Sequence, residues 1–167
     1  MTTEIERIRH GPDKKESPNE MGAVRFVAKC SGNASEVLAI ARESLEIAIR
    51  LADAGVFEED VWVAALPGRF VGNSVPHPSQ QEIDRELALP LEERINLQAE
   101  KKWSIRMFMN SFLPELDMRY WSWWDVAILD ENQIVVIVEV KAWPFPWQSL
   151  RWLFKASGAI DLVSEPL

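Results

Sequence analysis

The sequence has 167 residues, of which 47% are hydrophobic and 26% charged, and its formal net charge is −8. This length predicts one domain with a substantial core, and no apolar run approaches the ~20 residues of a membrane helix. A single cysteine, Cys30, excludes an internal disulfide, and the N-terminus lacks the apolar core of a signal peptide, so we expect a cytoplasmic protein without membrane association. The acidic balance argues against non-specific coating of nucleic acid, which depends on Lys and Arg.

The first half of the chain predicts a tail and a β-α-β block without recognisable chemistry. Residues 1–21 are polar and contain two prolines, and they predict a mobile N-terminal tail. The single domain then covers residues 22–167, and its first part, 22–90, is an extension of unknown role. In this extension we expect a strand at Ala23–Lys29, a helix at Ala34–Ala54 and a second strand at Val61–Leu66.

The middle of the chain predicts helices and an aromatic stretch. We expect a loop at Gly72–Gln81, a short helix at Gln81–Leu89 and one long helix at Pro90–Leu113. An aromatic stretch, Asp117–Asp125, follows, and seven of the eight tryptophans fall between Trp103 and Trp152. Packing in the core is the favoured interpretation of these tryptophans. A surface that stacks on bases or binds a protein is the alternative.

The stretch Asp125–Lys141 predicts a β-hairpin that ends in charged residues. Its strands are Val126–Leu129 and Ile134–Val138, and the second strand is apolar on both faces. Glu139 and Lys141 follow on one face, where charges are costly unless they pair or bind a metal. A helix at Trp147–Ser157 and a strand at Ala159–Val163 complete the chain.

The hairpin resembles the catalytic core of the PD-(D/E)xK nuclease superfamily. The shared features are an acid that opens a strand (Asp125), a polar turn, and an apolar strand that ends in Glu139-Val140-Lys141. The segment QSLRW, Gln148–Trp152, is similar to the Q-x-x-x-Y element of the RecB-like branch, although Trp152 replaces the Tyr. Trp124, rather than Pro, precedes Asp125.

This resemblance implies a metal site for phosphodiester hydrolysis. Asp125, Glu139 and the carbonyl of Val140 would bind Mg²⁺ (or Mn²⁺), which takes oxygen ligands and activates water. Lys141 would orient or deprotonate that water and offset charge on the phosphate. An ion pair between Glu139 and Lys141 at the edge of a sheet is the purely structural alternative.

The resemblance also implies two further site residues and a fold. Gln148 would hold a water or a phosphate oxygen, and the first helix would supply an acid, for which Glu100 is better placed than Glu93. The expected class is α/β (α+β). The expected architecture is a restriction-endonuclease-like core in residues 91–167, with a central mixed sheet flanked by helices in the order α-β-β-α-β.

The predicted site depends on the register of the hairpin. Opposed residues of an antiparallel pair share a face, so a three-residue loop, Glu131–Gln133, would set Asp125 opposite Glu139. A two-residue loop, Glu131–Asn132, would set Asp125 opposite Val138 on the wrong face, unless a bend at Trp124–Asp125 restored the approach.

Two main functions remain open on the sequence. The first is a Mg²⁺-dependent endonuclease, a hydrolase that binds and cleaves DNA. The second is a catalytically inactive nuclease-like module that binds a protein partner, or a second copy of itself, through a tryptophan-rich surface. An acidic immunity or accessory protein is a further form of this alternative, which the net charge of −8 favours.

Overall fold

The computed structural model describes residues 1–116 and 119–165, except for the side chain of residue 99. Residues 117 and 118 of the predicted aromatic stretch, and residues 166 and 167 of the predicted domain, lie outside the described residues. The helices are α1 (Glu4–His10), α2 (Ala34–Asp53), α3 (Glu59–Ala65), α4 (Gly68–Gly72), α5 (Gln80–Leu87), α6 (Leu91–Glu100), α7 (Ile105–Asn110) and α8 (Gln148–Ala156). The strands are β1 (Ala23–Lys29), β2 (Trp121–Asp130), β3 (Gln133–Val140) and β4 (Asp161–Glu165). Within this described part, no helix is long and apolar enough to cross a membrane.

The four strands form one antiparallel sheet in the order β2-β3-β1-β4. The predicted α+β class and the C-terminal order helix, strand, strand, helix, strand are confirmed. The expected mixed sheet is wrong, because every strand pair in the described part of the chain is antiparallel. Strand β1 lies between β3 and β4, so the predicted extension contributes a central strand to the sheet. The likeness to a restriction-endonuclease-like core stays a prediction.

One face of the sheet holds the core. Ile134, Val136 and Val138 alternate along β3 on this face and are fully buried, as is Phe26 on the neighbouring β1. Helices α2 and α8 cover the same face with their apolar sides. Burying such side chains contributes about 1.5–3 kcal/mol each, so this layer is the main source of stability.

The predicted strand at Val61–Leu66 is wrong, because these residues belong mostly to helix α3. Trp62 and Leu66, four residues apart, are buried, while Val61 and Val63 are more than a third exposed. This spacing fits one face of a helix, and the ring of Trp62 packs against aromatic side chains of α7 and its C-terminal end.

The single long helix predicted at Pro90–Leu113 is divided into α6 and α7. Between them Trp103 is buried, and its carbonyl accepts a hydrogen bond of 3.0 Å from the Val75 N–H. The Ser104 side chain then caps α7 by accepting the Met107 N–H at 3.1 Å. The break therefore buries an indole and starts a new helix, which the apolar spacing alone does not reveal.

The predicted mobile tail is also wrong in residues 1–21, which begin with helix α1. Thr3 and Glu6 form a capping box at its start, and Ile8 is fully buried in the core. The polar composition predicted mobility. The prediction failed because the residues that this segment contacts lie far away in the sequence and leave no local signal.

Helix α1 closes the outer edge of β2, which has no neighbouring strand. The Glu4 carboxylate accepts the Trp123 N–H at 2.6 Å, and the Arg7 Nε donates to the Trp123 carbonyl at 2.9 Å. Glu4 also binds the guanidinium of Arg119 at 2.8 Å, and both of these side chains are 14% exposed. Side chains thus satisfy backbone groups that would otherwise form an open sheet edge.

We predict that Glu4→Gln lowers the free energy of unfolding by about 2–3 kcal/mol, because Arg119 loses a mostly buried counter-charge and Trp123 loses a charged acceptor. Urea denaturation of the two proteins measures this difference. The control is Glu43→Gln on the exposed side of α2, which we expect to change stability by less than about 0.5 kcal/mol. Equal effects of the two substitutions would contradict the role of Glu4.

Candidate functional site

Asp125 and Glu139, the two carboxylates of the predicted metal site, share a face of the hairpin without lying opposite each other. Asp125 pairs with Ile137, and Glu139 pairs with Ser122. Since Ile137 and Glu139 are two residues apart on one strand, all four side chains point to the face away from the core. The predicted pairing of Asp125 with Glu139 is wrong, but the shared face that the metal site required is present.

An irregularity near the turn produces this shared face. The turn is the two-residue loop Glu131–Asn132, because Asp130 pairs with Gln133, and this loop alone would set Asp125 on the core face. A register shift between Ile128 and Asp130 moves the pairing by one residue and turns Asp125 outward. The alternative bend at Trp124–Asp125 is not what turns Asp125 outward.

A second register shift, between Trp123 and Asp125, separates the tryptophans from the carboxylate. It sets Trp123 opposite Val138 on the core face, together with Trp121. Trp121 and Trp123 therefore lie on the opposite face of the hairpin from Asp125.

Residues 11–22, which we name the crossing segment, run from α1 to β1 along this outer face. The Asn19 N–H donates to Oε2 of Glu139 at 2.8 Å, and the Ser122 hydroxyl lies 3.4 Å from Oε1. The Gly22 carbonyl accepts the N–H of Val140 at 3.0 Å, so the predicted third ligand residue also contacts this segment. Glu139 thus anchors the chain that enters β1.

Asp125 lies close beneath the start of the crossing segment. Its Oδ1 accepts the N–H of Val126 at 2.9 Å, and a Cβ at Gly11 would stand 3.3 Å from that oxygen. Gly11 also has a φ of +79°, which side chains other than glycine rarely adopt. Glycine therefore allows the backbone to leave α1 directly over the carboxylate.

The other three predicted site residues lie in different clefts. Lys141 lines a cleft of about 200 Å³ beside the C-terminal end of α2, with Asp53 and Arg119. Gln148 lines a larger cleft beside α5 and α6, and Glu100 lines a groove of about 440 Å³ between those two helices. The fold brings Asp125 and Glu139 to one face and distributes the others.

The predicted Mg²⁺ or Mn²⁺ site fits this arrangement only in part. Asp125 and Glu139 supply two carboxylates, but three of their four oxygens already accept a hydrogen bond or face a hydroxyl donor. Among the described residues, no group of three His, Cys, Asp or Glu side chains is placed to hold a metal ion. We therefore derive no hydrolytic step from these residues.

The tryptophans belong mainly to the core, as the favoured interpretation predicted. Trp121 and Trp123 are fully buried; the Trp121 indole donates to Ser149 at 2.9 Å, and Trp123 stacks on Phe154. Also buried are Trp62, Trp103, Trp124 and Trp152. Of the eight tryptophans, all within the described residues, only Trp143 is exposed and Trp147 is half-buried, so the burial of the other six argues against a tryptophan-rich surface, while binding of a protein partner stays a prediction.

Four of the exposed large apolar side chains of the described residues lie together in sequence on α5 and α6: Leu87, Leu91, Ile95 and Leu97. Neither helix has a buried residue in the part that the structure describes, and both contact the other elements sparsely. Leu87, Leu91 and Ile95 are 61%, 65% and 59% exposed. We name α5 and α6 the helical hairpin. Amphipathic helices normally bury such residues, so the helical hairpin is incompletely packed.

A cleft of about 550 Å³ separates the helical hairpin from α7 and α8. We name it the apolar cleft. Its apolar wall consists of Ile83, Leu87, Leu91, Ile95 and Met107. The size and the predominantly apolar lining are typical of ligand or side-chain binding sites.

The polar part of the apolar cleft is cationic, with Arg94, Lys101 and Arg151 against one acid, Glu86. Lys101 pairs with Glu86 at 2.5 Å, and Arg151 lies 3.3 Å from Asp161, which is outside the cleft. The Nε of Arg94 is covered and has no hydrogen-bond partner among the described residues. A protein of net charge −8 thus presents local positive charge beside apolar side chains.

Sequence reasoning missed this cleft because it placed Leu91, Ile95 and Leu97 in the apolar stripe of one long helix, Pro90–Leu113. The available signal was the brevity of the stripe, since charged and amide residues fill most of α6 and the apolar spacing lapses after Leu97. A helix with so few apolar residues has little to bury.

No protein-family model matches the chain, and no similar curated protein or solved structure is found. The function therefore has to be inferred from the residues of this chain.

We predict that the crossing segment loosens in acid because of Glu16. Its carboxylate accepts hydrogen bonds from the Thr2 hydroxyl and N–H, which lower its pKa from 4.5 to about 2. A lowered pKa stabilises the fold above about pH 4.5, and this stabilisation is lost as the pH falls toward about 2.

Unfolding measured at pH 6 and at pH 2.5 tests this assignment. Wild type should be more stable than Glu16→Gln at pH 6, and most of that difference should disappear at the lower pH. Glu20→Gln, in the same segment, is the control. A difference that is the same at both pH values would contradict the role of Glu16.

Proposed function

We propose that this chain is a non-catalytic protein-binding module that engages its partner through the apolar cleft. The observation that carries the proposal is the helical hairpin, α5 and α6, which has no buried residue of its own in the described part of the chain. Its apolar side chains face a cleft rather than the core.

The packing of the helical hairpin supports this function. In the described part of the chain these two short helices bury no side chain. Helix propensity alone gives such short helices little stability, so their apolar faces need a further surface to pack against. Exposed apolar patches with a polar rim are typical of interaction sites. The proposal keeps the binding-module alternative of the sequence analysis and moves it from the tryptophans to α5 and α6.

We expect a photo-reactive phenylalanine analogue at position 95 to yield a discrete covalent adduct with one partner in cells that express the chain. Ile95 is 59% exposed and lines the apolar cleft. Leu129, which is 55% exposed on the hairpin of β2 and β3, is the matched control position. Mass spectrometry of the adducts, and competition by the purified partner, give the measurement. Equal adducts at both positions, or none at position 95, would overturn the proposal.

A second candidate is the metal-dependent DNA nuclease that the sequence resemblance implies. The shared outer face of Asp125 and Glu139 supports it, since both carboxylates are only partly buried there. The dispersed positions of Lys141, Gln148 and Glu100 count against it.

We expect no cleavage of single- or double-stranded DNA by the purified chain with Mg²⁺ or Mn²⁺. The comparison includes Glu139→Gln, Lys141→Ala and the control Glu131→Gln, an exposed carboxylate in the turn of the same hairpin. Metal-dependent cleavage that persists in Glu131→Gln and falls at least about a hundredfold in Glu139→Gln would establish the nuclease instead.

A further inference from the structure

We infer that the apolar cleft accepts an acidic amphipathic helix of a partner protein. This inference rests on the proposed function and specifies the chemistry of the partner. The apolar wall accounts for the amphipathic character, and the excess of cationic over acidic side chains in the same lining accounts for the acidic character.

The shape of the cleft favours a helix over an extended peptide. The walls are mainly helices, with His77 and Pro78 from the loop that precedes α5, and none of the described strands lines the cleft, so a strand has no sheet edge there to which it could add. Leu91 and Ile95 lie one helical turn apart on α6, and Leu87 of α5 lines the same cleft. A partner helix with apolar residues at i, i+3 or i+4, and i+7 presents a matching stripe.

Arg94 supplies the preference for acid. Its Nε is covered without a hydrogen-bond acceptor among the described residues, although guanidinium groups normally satisfy such donors. Arg94 as a whole is only half-buried, so a carboxylate on the partner helix could pair with the accessible part of its guanidinium and gain a favourable charge. Glu86, the one acid that lines the cleft, is already held by Lys101.

A second copy of the chain fits the cleft less well. A symmetric contact through the cleft would place the cationic part of each cleft near its counterpart. It would also bring together two chains that each carry a net charge of −8.

Two synthetic helix-stabilised peptides test the inference with the full chain. Both carry leucines at i, i+4, i+7 and i+11, and they differ only in flanking Glu or Lys residues. Fluorescence anisotropy at about 0.15 M salt should show that the Glu peptide binds at least about tenfold more tightly. Arg94→Gln should remove about tenfold of that affinity, and Ile95→Gln should weaken both peptides.

Exposed residues outside the cleft supply matched controls. Arg69→Gln on α4 and Ile160→Gln before β4 should leave both affinities unchanged. Circular dichroism confirms that each variant is folded.

The outcomes separate this inference from the proposed function. Equal binding of both peptides, lost in Ile95→Gln, overturns the acidic helix and leaves the binding module intact. If neither peptide binds but a discrete adduct forms at position 95, the acidic helix is overturned and the binding module is kept. A concentration-dependent dimer that Ile95→Gln dissociates would assign the cleft to a second copy and overturn the inference. Absence of both peptide binding and adduct overturns the proposed function as well.

Discussion

The hydrogen bonds between α1 and the edge of β2 are the constraint on which the outer part of this structure depends. Glu4 and Arg7 bind the N–H and the carbonyl of Trp123, so two charged side chains replace a neighbouring strand. The Arg7 guanidinium also lies 5.1 Å from the ring centre of Trp124, at the irregular position of β2. Helix α1 therefore closes an edge and fixes the point from which the chain crosses the sheet.

This arrangement explains the charged residues at the end of the apolar strand β3. Glu139 does not enter the core, because it points to the outer face and accepts the N–H of Asn19. Asp125 lies beneath the backbone at Gly11 on the same face. Glu139 therefore has a structural role, since it anchors the crossing segment, and the close approach at Asp125 requires glycine at position 11.

Local patterns were sufficient to predict β1, α2, the hairpin and α8, because each combines a clear apolar period with a turn or a stop residue. The hairpin register could not be predicted, since two one-residue irregularities in β2 change the face of Asp125. The sequence also did not predict that α1 is a packed helix, because Glu4 and Arg7 bind Trp123, which lies far along the chain. Of the five predicted site residues, only Asp125 and Glu139 share a face, and the catalytic roles of all five stay predictions.

The uneven distribution of buried side chains over the helices supports the proposed binding function, as the cleft does. The sheet, α2 and α8 carry most of the core, and α3, α4 and α7 add further buried aromatic residues, whereas α5 and α6 contribute no buried residue in the described part of the chain. Elements of low local stability are the ones that move or become ordered when a ligand binds. A partner that packs on α5 and α6 would supply the burial that they lack, and binding to the native state would raise the apparent stability of the whole chain. If the proposed function holds, stability and recognition thus lie in different parts of one small domain.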